Sequence, residues 1–160
     1  MALSYAFFQN EFVPLSEAKI GIMTNFLHYG TAVFEGIRGN WNSEKQQSYI
    51  FCLKEHYERL HQGCQVLKID LPYTVDKLCQ ITVELVAKCG FQEDIYIRPL
   101  AYKSSESLGV RLHDLEYDFL VFAFPWGPYL PEKVGAAFLH GGSIMKYREP
   151  SLPGFMLLML

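Results

Sequence analysis

Asp94-Ile95-Tyr96-Ile97-Arg98-Pro99-Leu100-Ala101-Tyr102 is the stretch where the hydrophobic period of this chain changes. Tyr96, Arg98, Leu100 and Tyr102 recur every second residue and share one face of a strand. Pro99 offers no ladder hydrogen bond, so a sheet edge or a bulge is expected there. Just upstream the spacing is helical. Leu53, Tyr57, Leu60, Cys64 and Leu67 form one apolar stripe over 53–68, and Val75, Leu78, Ile81, Leu85 and Cys89 form another over 75–89. Thr74 suits an N-cap, Asp76 sits in a positive first turn, and Gly90 supplies a stop. Downstream, Phe119-Leu120-Val121-Phe122-Ala123-Phe124 is continuously apolar, which predicts a strand buried on both faces.

Further out, residues 4–8 and 12–14 flank Gln9-Asn10-Glu11 and predict an opening hairpin. Ser16 to Lys19 reads as a turn, Asn40 to Gln47 as a loop, Tyr49 to Cys52 as a strand, and Lys103 to Leu108 as a loop. Strands, two helices and further strands give an α+β fold, a mostly antiparallel sheet with two helices packed on one face. Beyond about residue 135 the periodicity weakens. The chain closes on Phe155-Met156-Leu157-Leu158-Met159-Leu160, an apolar end that needs a cover.

The run Phe26-Leu27-His28-Tyr29-Gly30-Thr31-Ala32-Val33-Phe34-Glu35-Gly36-Ile37-Arg38 is poor core material, because buried Glu35 and Arg38 would each need a partner. It is also too aromatic for a solvated loop. Aromatic walls, a few placed charges and two glycines for bends suggest a lined pocket.

The chain has 160 residues, is 50% hydrophobic and 15% aromatic, and carries a net charge of -3. That is enough apolar material for a core, and it shows no basic nucleic-acid footprint. No apolar run approaches the ~20 residues of a membrane span, and the first residues lack a signal-peptide pattern, so a cytoplasmic setting is expected. Cys52, Cys64, Cys79 and Cys89 form no C-x-x-C pair, and Cys64, Cys79 and Cys89, on apolar helix faces, read as small hydrophobic fillers. The five histidines show no metal-ligand spacing, and no phosphate loop or nucleophile elbow occurs.

Two arginines stand out. Arg59 lies on the first long helix beside Glu55 and Glu58, as either a surface arginine or an anion clamp. Arg98 lies between Ile97 and Pro99 with Tyr96 on its face, and it is costly unless paired. It either neutralises Glu35 or binds a substrate carboxylate with help from the Tyr96 hydroxyl. Trp126 and Tyr129, just past an apolar strand and beside glycine and proline, read as pocket lids or core plugs.

Taken together, these stretches resemble the fold-type IV pyridoxal-phosphate aminotransferases, most closely the branched-chain amino-acid group. The runs are L-H-Y-G-T-A-V-F-E-G-I-R at 27–38, E-H-Y-E-R-L-H at 55–61, Y-I-R-P-L at 96–100, L-G-V at 108–110 and F-P-W-G-P-Y-L at 124–130. The resemblance implies that Arg59 holds the cofactor phosphate and that Phe34, Gly36, Tyr96, Arg98, Trp126 and Tyr129 line the substrate pocket. It implies that Tyr29 and Leu108-Gly109-Val110 reach a neighbouring subunit's site in a homo-oligomer. The implied reaction passes an amino group from Leu, Ile or Val to 2-oxoglutarate through pyridoxal phosphate.

On this resemblance residues 1–135 correspond to the small N-terminal domain. Residues 136–160 correspond to a linker or an atypical tail, and the large domain is missing. The lysine that carries the cofactor is expected in an Ala-Lys context, which neither Lys133 nor Lys146 has. No catalytic residue is therefore identified, and the chain alone is expected to be inactive. The rival expectations are a non-catalytic module that pairs with a full-length homologue, and another fold-type IV enzyme such as a D-amino-acid aminotransferase or an aminodeoxychorismate lyase.

Overall fold

The computed structural model describes residues 4–126. Among them, seven strands make one sheet of antiparallel pairs: β1 (Tyr5–Phe8), β2 (Glu11–Pro14), β3 (Ala32–Phe34), β4 (Ile37–Asn42), β5 (Gln47–Ile50), β6 (Ile95–Lys103) and β7 (Tyr117–Pro125). Their spatial order is β2-β1-β7-β6-β4-β5, and β3 also pairs with β6. The helices are α1 (Asn25–Tyr29), α2 (Leu53–Val66) and α3 (Val75–Cys89). The fold is α+β as expected, with a third, five-residue helix inside the 26–38 run.

The two long helices form where the apolar stripes predicted them. Tyr57, Leu60 and Cys64 of α2, and Leu78, Ile81, Leu85 and Cys89 of α3, are buried. The Thr74 hydroxyl accepts the Lys77 N–H at 3.2 Å, and Gly90 closes α3 in the left-handed region. Both helices pack against one face of the sheet, where Ile37, Ile95, Ile97, Ala101, Phe119, Val121 and Ala123 complete the principal core. A Cβ at Gly63 would come within 2.6 Å of Val33 Cγ1, so the bare glycine lets α2 approach β3 this closely.

The hairpin around Gln9 and Asn10 is present. Both residues have positive φ, which matches the twist of a two-residue hairpin turn. The expected loop over 40–47 is narrower, because β4 runs to Asn42 and pairs it with Gln47 in a second hairpin.

Two expectations need correction. Pro99 is not at a sheet edge: β6 is an interior strand, with β7 on one side and β4 and β3 on the other. β4 pairs with Ile95–Ile97 and β3 with Leu100–Tyr102, leaving a breach at Arg98–Pro99. The Pro99 carbonyl accepts the Glu35 N–H at 3.1 Å on that breached side, so the missing proline donor falls where the ladder is already interrupted.

The second correction concerns β7, which is not buried on both faces. Phe119, Val121 and Ala123 are buried under the helices, whereas Phe122 and Phe124 on the opposite face are half-buried. Part of that opposite face is covered. Phe8, Tyr102 and Leu120 form a second, smaller core there with Ala18, Ile20 and Phe26, and Phe26 meets the Tyr102 ring edge-on at 5.0 Å.

Candidate active site

The other end of the second face, half-buried at Tyr96, Arg98, Phe122 and Phe124, carries most of the predicted site. Register places Phe34 opposite Leu100 and Arg38 opposite Tyr96, so Phe34, Tyr96, Arg98, Phe122 and Phe124 share one face with Trp126 just beyond β7. The Trp126 backbone N–H donates to the Asp94 carbonyl at 3.0 Å, which anchors the chain at the end of β7. Its ring lies 5.3 Å from Tyr96 and 5.0 Å from Phe124, which makes an aromatic wall. Gly36 shapes the same wall. A Cβ there would run into the Tyr96 hydroxyl, so the phenol can lie over the backbone at this point only with glycine beneath it.

Arg98 sits inside this wall. Its guanidinium stacks on Phe34 at 4.3 Å and on Tyr96 at 5.2 Å from the ring centroids. Its Nη2 donates to the Tyr96 hydroxyl at 2.8 Å. Its buried Nε has no hydrogen-bond partner among the described residues. Of the two readings of Arg98, the one in which it neutralises Glu35 is overturned, because Glu35 pairs with Arg59 and His56. The result is a half-buried positive charge with aromatic neighbours and an unmet donor, an arrangement that an anionic ligand would complete.

Glu35 points to the helix side of the breach. Arg59 Nε donates to Glu35 Oε1 at 2.7 Å, and Arg59 Nη2 donates to Oε2. His56 Nδ1 lies 2.9 Å from the same Oε2. His56 and Arg59 are three residues apart on α2, so they share the helix face that looks onto β3 and β4. Burial by itself would push the Glu35 carboxyl up, but the bonds and charges of Arg59 and His56 outweigh it and hold the carboxyl below its ordinary value of 4.5. Glu35 is therefore ionised and bound from two sides.

A third group forms beside α1. Asn25 is fully buried, and its side chain donates to the carbonyls of Ser107 at 3.1 Å and Gly109 at 3.0 Å and accepts from the Thr31 hydroxyl at 2.8 Å. This bracket ties the 105–109 segment to the helix that bears Tyr29. Tyr29, Leu27, Leu108 and Val110 are all exposed there, with Leu108 at 58% and Val110 at 80%. Each is an apolar or aromatic side chain left exposed on α1 or on the segment that Asn25 ties to it.

The predicted residues thus fall into three groups. Phe34, Gly36, Tyr96, Arg98 and Trp126 come together on the second face. Arg59 stands apart from them on the helix side, joined through Phe34-Glu35-Gly36. Tyr29, Leu108, Gly109 and Val110 are gathered by the Asn25 bracket. Tyr129 lies outside the described residues, as do Lys133, Lys146 and the tail.

At the 26–38 run the described residues contribute to an aromatic wall, and a hollow of about 650 Å³ lies at the far end of β6 and β7, lined by residues that include Tyr102, Glu106 and Asp118. Asn25, His56 and Phe124 were not anticipated. The three-residue spacing of His56 and Arg59 could have pointed to one of them, but nothing in the pattern marks Asn25. Among the described residues no group of three or more His, Cys, Asp or Glu could hold a metal ion, and no helix is long and apolar enough to cross a membrane.

An antiparallel sheet with two helices on one face and an arginine-bearing aromatic wall on the other is the arrangement of the described residues. The family model described as amino-transferase class IV matches residues 32–150, and the chain belongs to that family.

Within the family it is similar to branched-chain enzymes. A probable branched-chain-amino-acid aminotransferase of Aquifex aeolicus is 44% identical over 134 residues, which is 84% of this chain and 43% of the relative. The branched-chain-amino-acid aminotransferase of Escherichia coli K12 is 35% identical over 127 residues, 79% of this chain and 40% of the relative. The crystal structure of the branched-chain aminotransferase from Thermoproteus uzoniensis with norvaline matches at a TM-score of 0.74 and 38% identity, over 79% of this chain and 42% of that one. The chain spans less than half the length of these relatives.

Proposed function

We propose that this chain supplies the substrate side of a branched-chain amino-acid aminotransferase site, where Leu, Ile or Val gives its amino group to 2-oxoglutarate. One observation carries this reading: Arg98, half-buried against Phe34 and Tyr96, with an unmet buried donor. A carboxylate is the ligand that matches a guanidinium plane flanked by a phenol. The wall of Tyr96, Phe124 and Trp126 beside it suits a branched aliphatic side chain.

Pyridoxal phosphate is the group the family implies. Arg59 fits its phosphate, because Glu35 fixes the guanidinium where it is still a third exposed. When bound, the cofactor supplies the electron sink for amino-group exchange. This chain's own residues do the positioning. Arg98 and the Tyr96 hydroxyl would hold the substrate carboxylate, Phe34 and Trp126 would keep water off the reacting end, and Gly36 would keep the Tyr96 phenol in place.

The lysine that carries the cofactor is not recognisable in the 160 residues, so we propose that they do not transaminate alone. The exposed side chains of Tyr29, Leu108 and Val110 support association with a second copy of this fold, at the edge of that copy's site. A cytoplasmic setting, where free amino acids and 2-oxo acids meet, completes the proposal.

Titrating the chain with 4-methylvalerate tests the carboxylate site, since a solved relative is described as complexed with 4-methylvaleric acid. Binding that falls at least tenfold in Arg98→Leu, and is absent for 4-methylpentanol, is the expected result. Equal binding by wild type and Arg98→Leu would refute it. Borohydride reduction with pyridoxal phosphate, followed by mass spectrometry, tests the lysine statement: a stoichiometric adduct on Lys133 or Lys146 would overturn it.

A further inference from the structure

We infer that Glu35, with His56 beside it, is the positioning residue that turns Arg59 into a fixed receptor for a phosphate monoester. This rests on the proposed role of Arg59 as the phosphate contact. Three observations carry it. First, the Glu35 backbone is anchored: its N–H donates to the Pro99 carbonyl at 3.1 Å, inside the sheet's breach, which sets the point from which its side chain reaches α2. Second, the grip is bidentate, Nε and Nη2 of Arg59 on the two oxygens, and His56 Nδ1 closes it at 2.9 Å.

Third, the exposures are unequal. The Glu35 side chain is 8% exposed and His56 15%, while Arg59 is 33% exposed. The carboxylate lies beneath and the guanidinium reaches outward.

The physical consequence is preorganisation. A long arginine side chain ordinarily loses rotamer freedom on gripping an anion. Glu35 has already imposed that loss during folding, so the anion meets a guanidinium of fixed plane and direction. An opposite outcome is physically conceivable, in which Glu35 is a resident anion that competes with phosphate for the same cation. The burial asymmetry argues against it, because a competitor would have to leave for phosphate to enter, and Glu35 has no exposed position to leave to. Removing the carboxylate should therefore weaken phosphate binding.

The experiment uses the full 160-residue chain with inorganic phosphate as the probe, at constant ionic strength against chloride. The Arg59 Nε–H signal in a 15N-arginine NMR spectrum reports both the Glu35 bond and the anion. In wild type this proton exchanges slowly and its signal moves with phosphate. In Glu35→Gln the protection is lost and phosphate affinity falls about tenfold or more, consistent with a charged hydrogen-bond partner becoming neutral. Glu35→Asp keeps the charge at a shorter reach and recovers part of the affinity.

Affinity in Glu35→Gln equal to or above wild type, while Arg59→Lys loses binding, overturns the inference and leaves the phosphate contact standing. Binding unchanged in Arg59→Lys, or no response of the Arg59 signal in wild type, sinks the phosphate contact itself and the inference with it. If Glu35→Gln does not fold, Glu35→Asp decides: affinity equal to wild type overturns the inference.

Discussion

The two faces of β6 make the informative comparison. Ile95, Ile97 and Ala101 face α2 and α3 and are essentially inaccessible, while Tyr96, Arg98 and Leu100 alternate with them and stay half-buried. Backbone, strand and neighbours are shared, so the difference lies in what covers each face. The helix face is closed and apolar, and its role is cohesion. Among the described residues, the other face is closed at one end, by Phe8, Tyr102, Leu120 and Phe26. At its other end it keeps an arginine among aromatics, which a face meant only for cohesion would not hold.

The sharpest way to break this contrast is through the closed face. Tyr57 is fully buried, meets Phe119 edge-on at 6.3 Å and bonds the Thr82 hydroxyl. Tyr57→Ala should cost about 3–5 kcal/mol of stability. Chemical denaturation measures it, and a loss below about 1 kcal/mol would mean that the helix face is not the principal core.

Glu35 lies between the two faces and should come next. Glu35→Gln leaves Arg59 without its anion, a loss of about 2–3 kcal/mol after discounting the buried-pair range for the exposure of Arg59. Its pH signature has a definite sign. The folded carboxyl is held below the ordinary 4.5, so its stabilisation is present above that value and drains away as pH falls through the folded one. Melts recorded from pH 6 downward should show wild type losing stability that Glu35→Gln never had, so the two curves converge in acid. Parallel curves would contradict the ion pair.

Gly36→Ala sharpens the contrast from the other side. The added methyl displaces the Tyr96 phenol and with it the bond to Arg98, at an overpacking cost of about 1–2 kcal/mol. Carboxylate affinity should fall more than stability does. If 4-methylvalerate binds the variant as it binds wild type, Gly36 does not shape the site.

Much of this was legible in the sequence, for reasons that can be traced to residues. The stripes on α2 and α3 were readable because apolar side chains recur at helical spacing and nothing interrupts them. Tyr96 and Arg98 were readable as a same-face pair because strand geometry leaves no alternative. What escaped depends on contacts between distant segments. The partner of Glu35 could not be chosen, since Arg98 is near in strand order whereas Arg59 approaches only when α2 packs on β3. Asn25 looks like any polar helix residue until the 105–109 carbonyls close around it. Pro99 suggested an edge or a bulge because those are the usual refuges for a missing donor; the breach beside Glu35, an interruption of the ladder, serves the same need in the middle of a sheet.

The smallest expected effect on stability is also the most discriminating. Arg98 has no acidic partner among the described residues, and its contacts are two aromatic rings and one hydroxyl. Replacing it with leucine removes a half-buried charge and an unmet donor while keeping apolar contact with Phe34. The loss of cation–π attraction and the relief of desolvation oppose each other at about 1 kcal/mol each, so the net change should lie within about 0.5 kcal/mol. A residue kept for cohesion would cost several times more, as Tyr57 does. An arginine whose removal leaves the fold intact and abolishes carboxylate binding is held there for a ligand. If Arg98→Leu instead unfolds the domain, the charge is structural and the face that bears it has no claim to be a site.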